Sequence, residues 1–225
     1  TATSGLSALQ GTSPCQPGAS VPGSLRTSSA YTALAVAGSR VIVTIVHSLE
    51  ELDGAPSGVT IGTFDGVHRG HQLLVEKTIA RARGLGVQAG VVPSEPIPAM
   101  VLRPDRFPGR ICSAEEKLAL LSAAGPDVIA VISFDRELSL QTPELFMSNL
   151  DRAFGIKEFW VGEGFALGKD RAGNVERLTE IGRELGFGVN VLKRVTDGEI
   201  VISSSAIRTA ITSGEVAQAA HLLGR

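Results

Sequence analysis

The segment GTFDGVHRGH, residues 62–71, holds the chain's most distinctive group of chemically active side chains. It places His68 and His71, two of the chain's four histidines, three residues apart among glycines. The apolar run at residues 59–61 predicts a buried strand before this segment, and the periodic stretch at residues 72–83 predicts a helix after it. The histidines therefore lie at a helix N-terminus. Such a terminus presents unpaired N–H groups and a partial positive charge, which suits phosphate.

Two other interpretations of these histidines are possible. Imidazole and carboxylate are common metal ligands, so His68 and His71 together with Asp65 could bind an ion. Against this, Gly70 lies between the histidines and loosens the backbone that a regular helical pair needs. Alternatively, the histidines only form local hydrogen bonds. Their position at a strand end argues against this, because open α/β sheets bind ligands at the carboxyl ends of strands. We therefore predict phosphate binding and no metal site.

A second polar group occurs near the end of the chain. Ser203, Ser204 and Ser205 precede a predicted helix that places Arg208 about one turn further on. Hydroxyls, helix-start amides and a guanidinium can converge there on one polyanion. The alternative is plain N-capping by serine with an arginine on the surface.

Length and composition predict one catalytic domain. At 225 residues and 43% hydrophobic, the chain can bury a single large core. The net charge of −2 gives no electrostatic argument for nucleic acid or a membrane surface. Cys15 and Cys112 are too few for a disulfide framework. With no apolar run of membrane-spanning length, we expect a soluble, cytoplasmic protein.

Residues 1–40 differ from the remainder of the chain. They are rich in Ser, Thr, Ala, Gly and Pro, and no Asp or Glu occurs before Glu50. Such a segment cannot build much core, so we predict a disordered leader, or sequence upstream of a true start near Val41. A plastid transit segment is the alternative, although Arg26 and Arg40 are its only basic residues. The globular domain is predicted over residues 41–225.

Strands and helices are predicted to alternate through that domain. The predicted strands are residues 41–46 at the sheet edge, 59–61, 87–92, 128–132, 158–161, 189–192 and 199–201. The predicted helices are residues 72–83, 113–124, 142–152 and 174–186, then two short helices after the serines, with a loop at residues 93–110. Alternation of this kind implies an α/β fold, a Rossmann-like parallel sheet with helices on both faces.

The segment at residues 62–71 resembles the G-x-F-D-G-x-H-x-G-H signature of bacterial FAD synthetases, which belong to the nucleotidyltransferase superfamily that carries the HIGH motif. Five further segments follow in that family's order: VLRPDR (101–106), EEKLALL (115–121), VGEGFALGKDRAGN (161–174), ISSSAIR (202–208) and LLGR (222–225). The resemblance covers about residues 41–225. It is to the N-terminal FMN adenylyltransferase module of bifunctional riboflavin kinase/FMN adenylyltransferases.

The resemblance implies transfer of AMP from ATP to the phosphate of FMN, giving FAD and pyrophosphate, with Mg²⁺ carried by ATP. The FMN phosphate has a second pKa of about 6 and is largely dianionic at neutral pH. No nucleophilic residue or general base is then needed, and catalysis reduces to positioning and electrostatics. Two alternatives stay open: a related, cytidylyltransferase-like enzyme with another acceptor, and a non-catalytic nucleotide-binding module.

The resemblance also assigns roles to residues. The implied catalytic residues are His68, His71, Ser204, Ser205 and Arg208. The implied ATP-binding residues are Gly62, Thr63, Phe64, Asp65, Gly66, Gly70, Gly162 and Ser203. The implied flavin-binding residues are Phe165, Arg171 and Asn174.

Four positions depart from the family pattern. Ile97, Gly164, Ala166 and Val201 stand where the family commonly has polar or charged residues. Because these are flavin-side and charge-stabilising positions, we expect the rate of FAD formation to be reduced.

In the family a riboflavin kinase module follows the LLGR segment. This chain ends at Arg225, so it is expected to use FMN and not to make FMN from riboflavin and ATP, with a riboflavin kinase module outside the chain as a candidate partner.

Overall fold

The computed structural model describes residues 31–32 and 42–225. The leader predicted over residues 1–40 therefore lies outside the described residues, apart from Tyr31–Thr32, which forms a short strand. Within residues 42–225, no helix is both long enough and apolar enough to cross a membrane.

The centre of the fold is a mostly parallel sheet. Its strands are β1 (Tyr31–Thr32), β2 (Val43–Val46), β3 (Ser57–Gly62), β4 (Gln88–Glu95), β5 (Val128–Ala130), β6 (Ile132–Ser133), β7 (Ile156–Gly162) and β8 (Gly188–Leu192). The strand order is β1-β2-β5-β4-β3-β7-β8, and β6 pairs with β4. All of these pairings are parallel except that of β1 with β2.

The predicted α/β class is confirmed, but the strand predicted at the sheet edge is wrongly placed, because β1 lies outside β2. A separate hairpin joins β9 (Thr196–Asp197) to β10 (Ile200–Val201).

Eight α-helices accompany these strands in the described part of the chain. They are α1 (Arg69–Leu85), α2 (Pro98–Leu102), α3 (Ala114–Ala123), α4 (Arg136–Ser139), α5 (Pro143–Phe154), α6 (Val175–Leu185), α7 (Ser204–Thr212) and α8 (Val216–Leu223). Two apolar clusters form the main core. One contains Val92 and side chains of α5 and α6, and the other contains Val91 and side chains of α1 and α3. Since neighbouring residues of a strand face opposite sides, the helices cover both faces of the sheet.

Local sequence signals predicted several helix ends correctly. Thr142 caps α5, Asn174 caps α6, and Gly86 ends α1 in the left-handed conformation. Other details differ from the prediction. The first helix begins at Arg69 instead of residue 72, because the His68 side chain provides its N-cap.

The stretch predicted as a loop at residues 93–110 also differs. Its first residues extend β4 to Glu95, and it contains helix α2, which begins with Pro98 in the first turn where proline is tolerated. The strand predicted at residues 128–132 divides into β5 and β6, which both pair with β4, and only β5 also pairs with β2. The short helix α4 had no clear periodic signal.

Candidate active site

The predicted phosphate-binding segment, here called the signature turn (residues 62–71), leaves the carboxyl end of β3 and enters α1. Its backbone is left-handed at Phe64, Gly66 and Val67, with φ of 51°, 79° and 38°. For Phe64 and Val67 this conformation costs on the order of 1–3 kcal/mol each. Both side chains are buried, at 0% and 3% exposure, so core packing holds the strained turn in place.

His68 and His71 stack on each other where the signature turn enters α1. Their ring centroids lie 3.6 Å apart, with 15° between the planes. The Nδ1 atom of His68 accepts a hydrogen bond of 3.3 Å from the backbone N–H of His71. Because Nδ1 is the acceptor, a neutral His68 carries its proton on Nε2. Gly70 allows this packing, since a Cβ atom there would lie 3.2 Å from the His68 ring.

Burial keeps both imidazoles neutral. It lowers the pKa of His68 from 6.5 to about 4, although a backbone hydrogen bond partly opposes the shift. The pKa of His71 is lowered well below its usual value by burial, and further by electrostatic repulsion from His68 when that ring is protonated and from Lys117. At neutral pH the two imidazole rings are therefore uncharged, and each can both donate and accept a hydrogen bond. A bound polyphosphate would favour the protonated form of each ring.

The relative orientation of His68 and His71 is unsuited to coordination of one metal ion by both rings. The lone pairs of imidazole lie in the ring plane, and two nearly parallel rings direct them side by side instead of toward one point. Asp65, the third candidate ligand, is turned into the protein. Within residues 42–225, no cluster of three or more His, Cys, Asp or Glu side chains is arranged to hold a metal ion.

Asp65 is buried, and its carboxylate binds groups from two distant segments. It accepts a hydrogen bond of 3.1 Å from the backbone N–H of Ile111 and forms an ion pair with Arg208. Nε of Arg208 also donates to the carbonyl oxygen of Gly109, at 2.9 Å. In this structure Arg208 therefore holds the signature turn and the 109–111 loop together.

The serine turn (residues 203–205) lies against the signature turn. Ser203 caps α7 by accepting a 3.2 Å hydrogen bond from the backbone N–H of Ala206. The Ser204 hydroxyl donates to the carbonyl oxygen of Asp65 at 3.0 Å, whereas Ser205 is exposed. The N-termini of α1 and α7 consequently meet at one place.

A cleft of about 1150 Å³ opens beside these helix ends, at the carboxyl side of the sheet. The sequence-predicted site residues that line it are Gly62, Thr63, Phe64, His68, His71, Gly162, Phe165, Arg171 and Ser204. The others are not among its lining residues: Asp65, Gly66, Gly70, Asn174, Ser203, Ser205 and Arg208. Among them, Asn174 is used as the cap of α6, accepting a 2.9 Å hydrogen bond from the backbone N–H of Arg177.

The outer end of the cleft combines apolar and cationic side chains that sequence reasoning did not single out. Phe134, Leu138 and Leu140 line it together with Arg103 and Arg136. Arg136 and Leu138 belong to α4, whereas Arg103, Phe134 and Leu140 lie in the segments next to α2 and α4. Their separation along the chain and the weak helical signal of α4 explain why the sequence did not reveal them.

The four positions that depart from the family pattern fall into two groups. Gly164 and Ala166 line the cleft. Ile97 is 4% exposed and packs beneath the surface, and Val201 lies on the β9–β10 hairpin; neither lines the cleft. Gly164 has φ of 79°, the left-handed region that favours glycine and tolerates Asn or Asp.

Two cations that belong to the EEKLALL and LLGR segments, and for which the sequence predicts no individual role, support the signature turn. Lys117 of α3 donates to the carbonyl oxygen of Thr63 from a buried position. Arg225 donates to the carbonyl oxygen of Gly66 at 2.9 Å and contacts Glu116 at 3.3 Å. In the sequence, Arg225 is indicated only by its place in the LLGR segment of the family pattern. Lys117 stands in an amphipathic run where a lysine is ordinarily expected on the surface.

A cleft at the carboxyl ends of a parallel sheet, with two helix N-termini at one end, is the architecture of an α/β nucleotide-binding protein. The family model for FAD synthetase matches residues 51–206. The chain is 33% identical over 180 residues to the bifunctional riboflavin kinase/FMN adenylyltransferase of Escherichia coli (strain K12), covering 80% of this chain and 58% of that protein. The chain belongs to the FAD synthetase family.

One further curated relative and one solved structure are also similar to this chain. The Pseudomonas fluorescens bifunctional riboflavin kinase/FMN adenylyltransferase is 35% identical over 167 residues, which cover 74% of this chain and 53% of that protein. The chain thus spans just over half the length of the curated relatives it matches. The crystal structure of a macrolide-efflux protein from Streptococcus pneumoniae has a TM-score of 0.72 and 26% identity, covering 82% of this chain and 62% of that one.

Proposed function

We propose that this protein transfers AMP from ATP to the phosphate of FMN, forming FAD and releasing pyrophosphate. The observation that carries the proposal is the stacked His68–His71 pair at the N-terminus of α1, facing a large cleft in a chain of the FAD synthetase family. An FMN phosphate oxygen forms a bond to the α-phosphorus of ATP. The bond from that phosphorus to the leaving pyrophosphate breaks.

The signature turn supplies the groups that would hold the ATP phosphates. The N-termini of α1 and α7 contribute partial positive charge, while His68 and His71 contribute side-chain donors at the cleft surface. The Ser204 hydroxyl could donate to phosphate only after releasing the carbonyl oxygen of Asp65. As negative charge develops on the pyrophosphate, prearranged donors of this kind are each worth about 10²–10³ in rate. Protonation of the imidazoles on phosphate binding would strengthen the same contacts.

Four residues that do not line the cleft would support this surface from beneath: Asp65, Gly66, Gly70 and Arg208. Their contacts fix the shape of the turn, so we assign them to positioning the ATP-binding groups. Arg208 reaches the phosphates only if its contact with Asp65 rearranges when the nucleotide binds. Mg²⁺ enters as part of the ATP substrate and is held mainly by phosphate oxygens.

The outer end of the cleft suits the flavin. Its apolar side chains, among them Phe134, Leu138 and Phe165, offer flat surface for an isoalloxazine ring. Arg171 borders the same end, where its Nη2 donates to the carbonyl oxygen of Gly164 at 3.1 Å. The volume of about 1150 Å³ exceeds the upper range of single-ligand pockets, about 1,000 Å³, as two substrates require.

The test is a reaction of the purified protein with ATP, Mg²⁺ and FMN, in which FAD is separated by chromatography and pyrophosphate is assayed. Parallel reactions contain CTP with glycerol phosphate, and ATP with riboflavin. Formation of FAD with equal release of pyrophosphate supports the proposal. Use of CTP without FAD formation indicates a related transferase, and ATP binding without turnover indicates a non-catalytic module; either result refutes the proposal. Phosphorylation of riboflavin would add a kinase activity.

A further inference from the structure

Lys117 is a buried charge for which the proposed reaction has no direct use. The residue is 2% exposed. Its ammonium group lies 3.3 Å from the carbonyl oxygen of Thr63, 2.9 Å from that of Ser94 and 2.9 Å from Oε2 of Glu95. The contacts with Thr63 and Ser94 are hydrogen bonds and the contact with Glu95 is an ion pair, so the ammonium is surrounded by three oxygen atoms.

The two carbonyl groups belong to neighbouring strand ends. Thr63 follows the last residue of β3, Ser94 is near the end of β4, and the two strands are paired in parallel up to Gly62 and Pro93. Thr63 and Ser94 both line the cleft, whereas Lys117 does not. Lys117 thus ties together, from inside the protein, the two strand ends that form the floor of the cleft.

The contact with Thr63 also sets the direction of a peptide group in the signature turn. The C=O and N–H of a trans peptide point in opposite directions, so fixing the Thr63 oxygen on Lys117 directs the N–H of Phe64 away from Lys117. Phe64 is the residue with φ of 51°, where the backbone conformation is unfavourable without outside support. The ammonium of Lys117 supplies that support immediately before the strained residue.

A lysine at this position is costly unless it is fully paired, and an apolar side chain would fill the space without that cost. Glu95 provides the compensating charge and is itself paired with Arg110. Burial alone would raise the pKa of Glu95, but hydrogen bonds from Arg110 and Lys117 lower it, so the carboxylate stays ionised. The buried ammonium is thus balanced by a partly buried carboxylate and directed at two backbone carbonyls of the cleft.

We propose that Lys117 is a positioning residue for nucleotidyl transfer: its ammonium holds the ends of β3 and β4 so that the signature turn is already shaped for the ATP phosphates. The catalytic part of this inference rests on the proposed function. Its structural part, that the turn depends on the convergent contacts of one ammonium, does not.

The test compares Lys117→Met, which keeps the length of the side chain and removes the charge, with Lys77→Met, which removes an exposed lysine of α1. We expect Lys117→Met to lower kcat for FAD formation at least 30-fold per folded molecule, with the KM for FMN within threefold of wild type. Amide hydrogen exchange of residues 62–67 should become at least tenfold faster, while exchange in α5 stays unchanged. Lys77→Met should match wild type in each measurement. A kcat within threefold of wild type, or unchanged exchange in residues 62–67, would overturn the proposal.

Lys117→Arg covers the case in which Lys117→Met does not fold. It keeps the charge, but a planar guanidinium cannot direct donors to three converging oxygens in the same space. We expect at least a fivefold lower kcat and faster exchange of residues 62–67, and wild-type values of both would overturn the proposal. Hydrogen exchange needs no substrate. If wild-type protein forms no FAD, the proposed function fails while the exchange measurements still decide the role of Lys117.

Discussion

Asp65 and Arg208 are 143 residues apart in the chain and form an ion pair inside the protein. The side chain of Asp65 is 3% exposed and that of Arg208 is 18% exposed. The pair joins the signature turn to α7, where the hydroxyl of Ser204 makes a second link to the backbone of Asp65. The signature turn and the serine turn are therefore bonded directly to each other, and we expect a substitution in either segment to change the structure of the other.

Loss of Arg208 should be severe for stability. In Arg208→Met the carboxylate of Asp65 stays buried without its partner, and breaking a buried pair in this way costs about 3–5 kcal/mol. The control is Arg83→Met, which removes the more exposed partner of Asp127, for which we expect less than about 1 kcal/mol. Chemical denaturation of the variants gives both values. Equal, small losses for the two variants would show that the Asp65–Arg208 pair does not hold the turn.

His71 should matter for rate more than for folding. In His71→Ala a donor at the cleft surface is lost, and we expect turnover to fall by about 10²–10³. His68→Ala should also lower turnover, and in addition it removes the N-cap of α1. His47→Ala, which changes an exposed histidine far along the chain from the signature turn, is the control and should keep wild-type turnover. Turnover of His71→Ala within threefold of wild type would remove His71 from the mechanism.

Comparison of sequence and structure shows which features local signals reveal. Thr142 and Asn174 follow ordinary capping rules, and the helices they begin were predicted within about two residues. The start of α1 was missed because histidine is an uncommon cap, and His68 takes that role only when the fold buries its ring. Lys117 and the partner of Arg208 were missed for a related reason. Their contacts join segments that lie far apart in the chain, and no periodicity in the sequence records them.

Stability should fall between neutral and mildly acidic pH because of His68. Its ring takes up a proton near pH 6.5 in the unfolded chain and near pH 4 in the folded protein. Between these values the unfolded state binds more protons, so the free energy of unfolding decreases as the pH is lowered through this window. At pH 5 the loss from His68 is about 2 kcal/mol relative to pH 7. His71, whose pKa is also lowered, adds to the loss in the same direction.

His68→Asn isolates this contribution. Asparagine can still accept the hydrogen bond from the backbone N–H of His71, so the N-cap is retained while the titrating ring is removed. We expect the difference in unfolding free energy between pH 7 and pH 5 to shrink by about 2 kcal/mol in the variant. An unchanged difference, measured by urea denaturation at both pH values, would mean that His68 does not titrate as its burial indicates.

Gly70 should be intolerant of even one added methyl group. In Gly70→Ala the new Cβ would lie 3.2 Å from Cε1 and Nδ1 of His68, so the stacked rings must shift. The rings must move by a few tenths of an ångström, and because a displacement of about 1 Å can cost on the order of 10²-fold in rate, we expect turnover to fall by roughly three- to tenfold. Gly84→Ala, in the same helix with open space around it, should leave turnover unchanged and stabilise the protein by about 0.5–1 kcal/mol. Equal turnover in the two variants would contradict the need for close packing at residue 70.

Gly164 offers a way to restore a polar group to the cleft. The residue lines the cleft with φ of 79°, and its Cβ would meet only Nη2 of Arg194, at an ordinary contact distance of 3.5 Å. Asparagine tolerates this conformation better than most residues, and the resembled family commonly has Asp or Asn at the position. Gly164→Asn adds an amide that can hydrogen-bond to substrate, a gain of about 0.5–1.5 kcal/mol. The KM for ATP or FMN should therefore fall by about two- to tenfold.

Gly186→Asn is the matched control for this substitution. Gly186 ends α6 with φ of 89°, has no atoms within 4 Å of its Cβ position and does not line the cleft. Both substitutions introduce asparagine in a left-handed backbone, so their effects on the melting temperature should be similar. Only Gly164→Asn should change a KM, because only that side chain reaches the substrates. If both KM values stay unchanged in Gly164→Asn while the two melting temperatures agree, residue 164 does not contact either substrate.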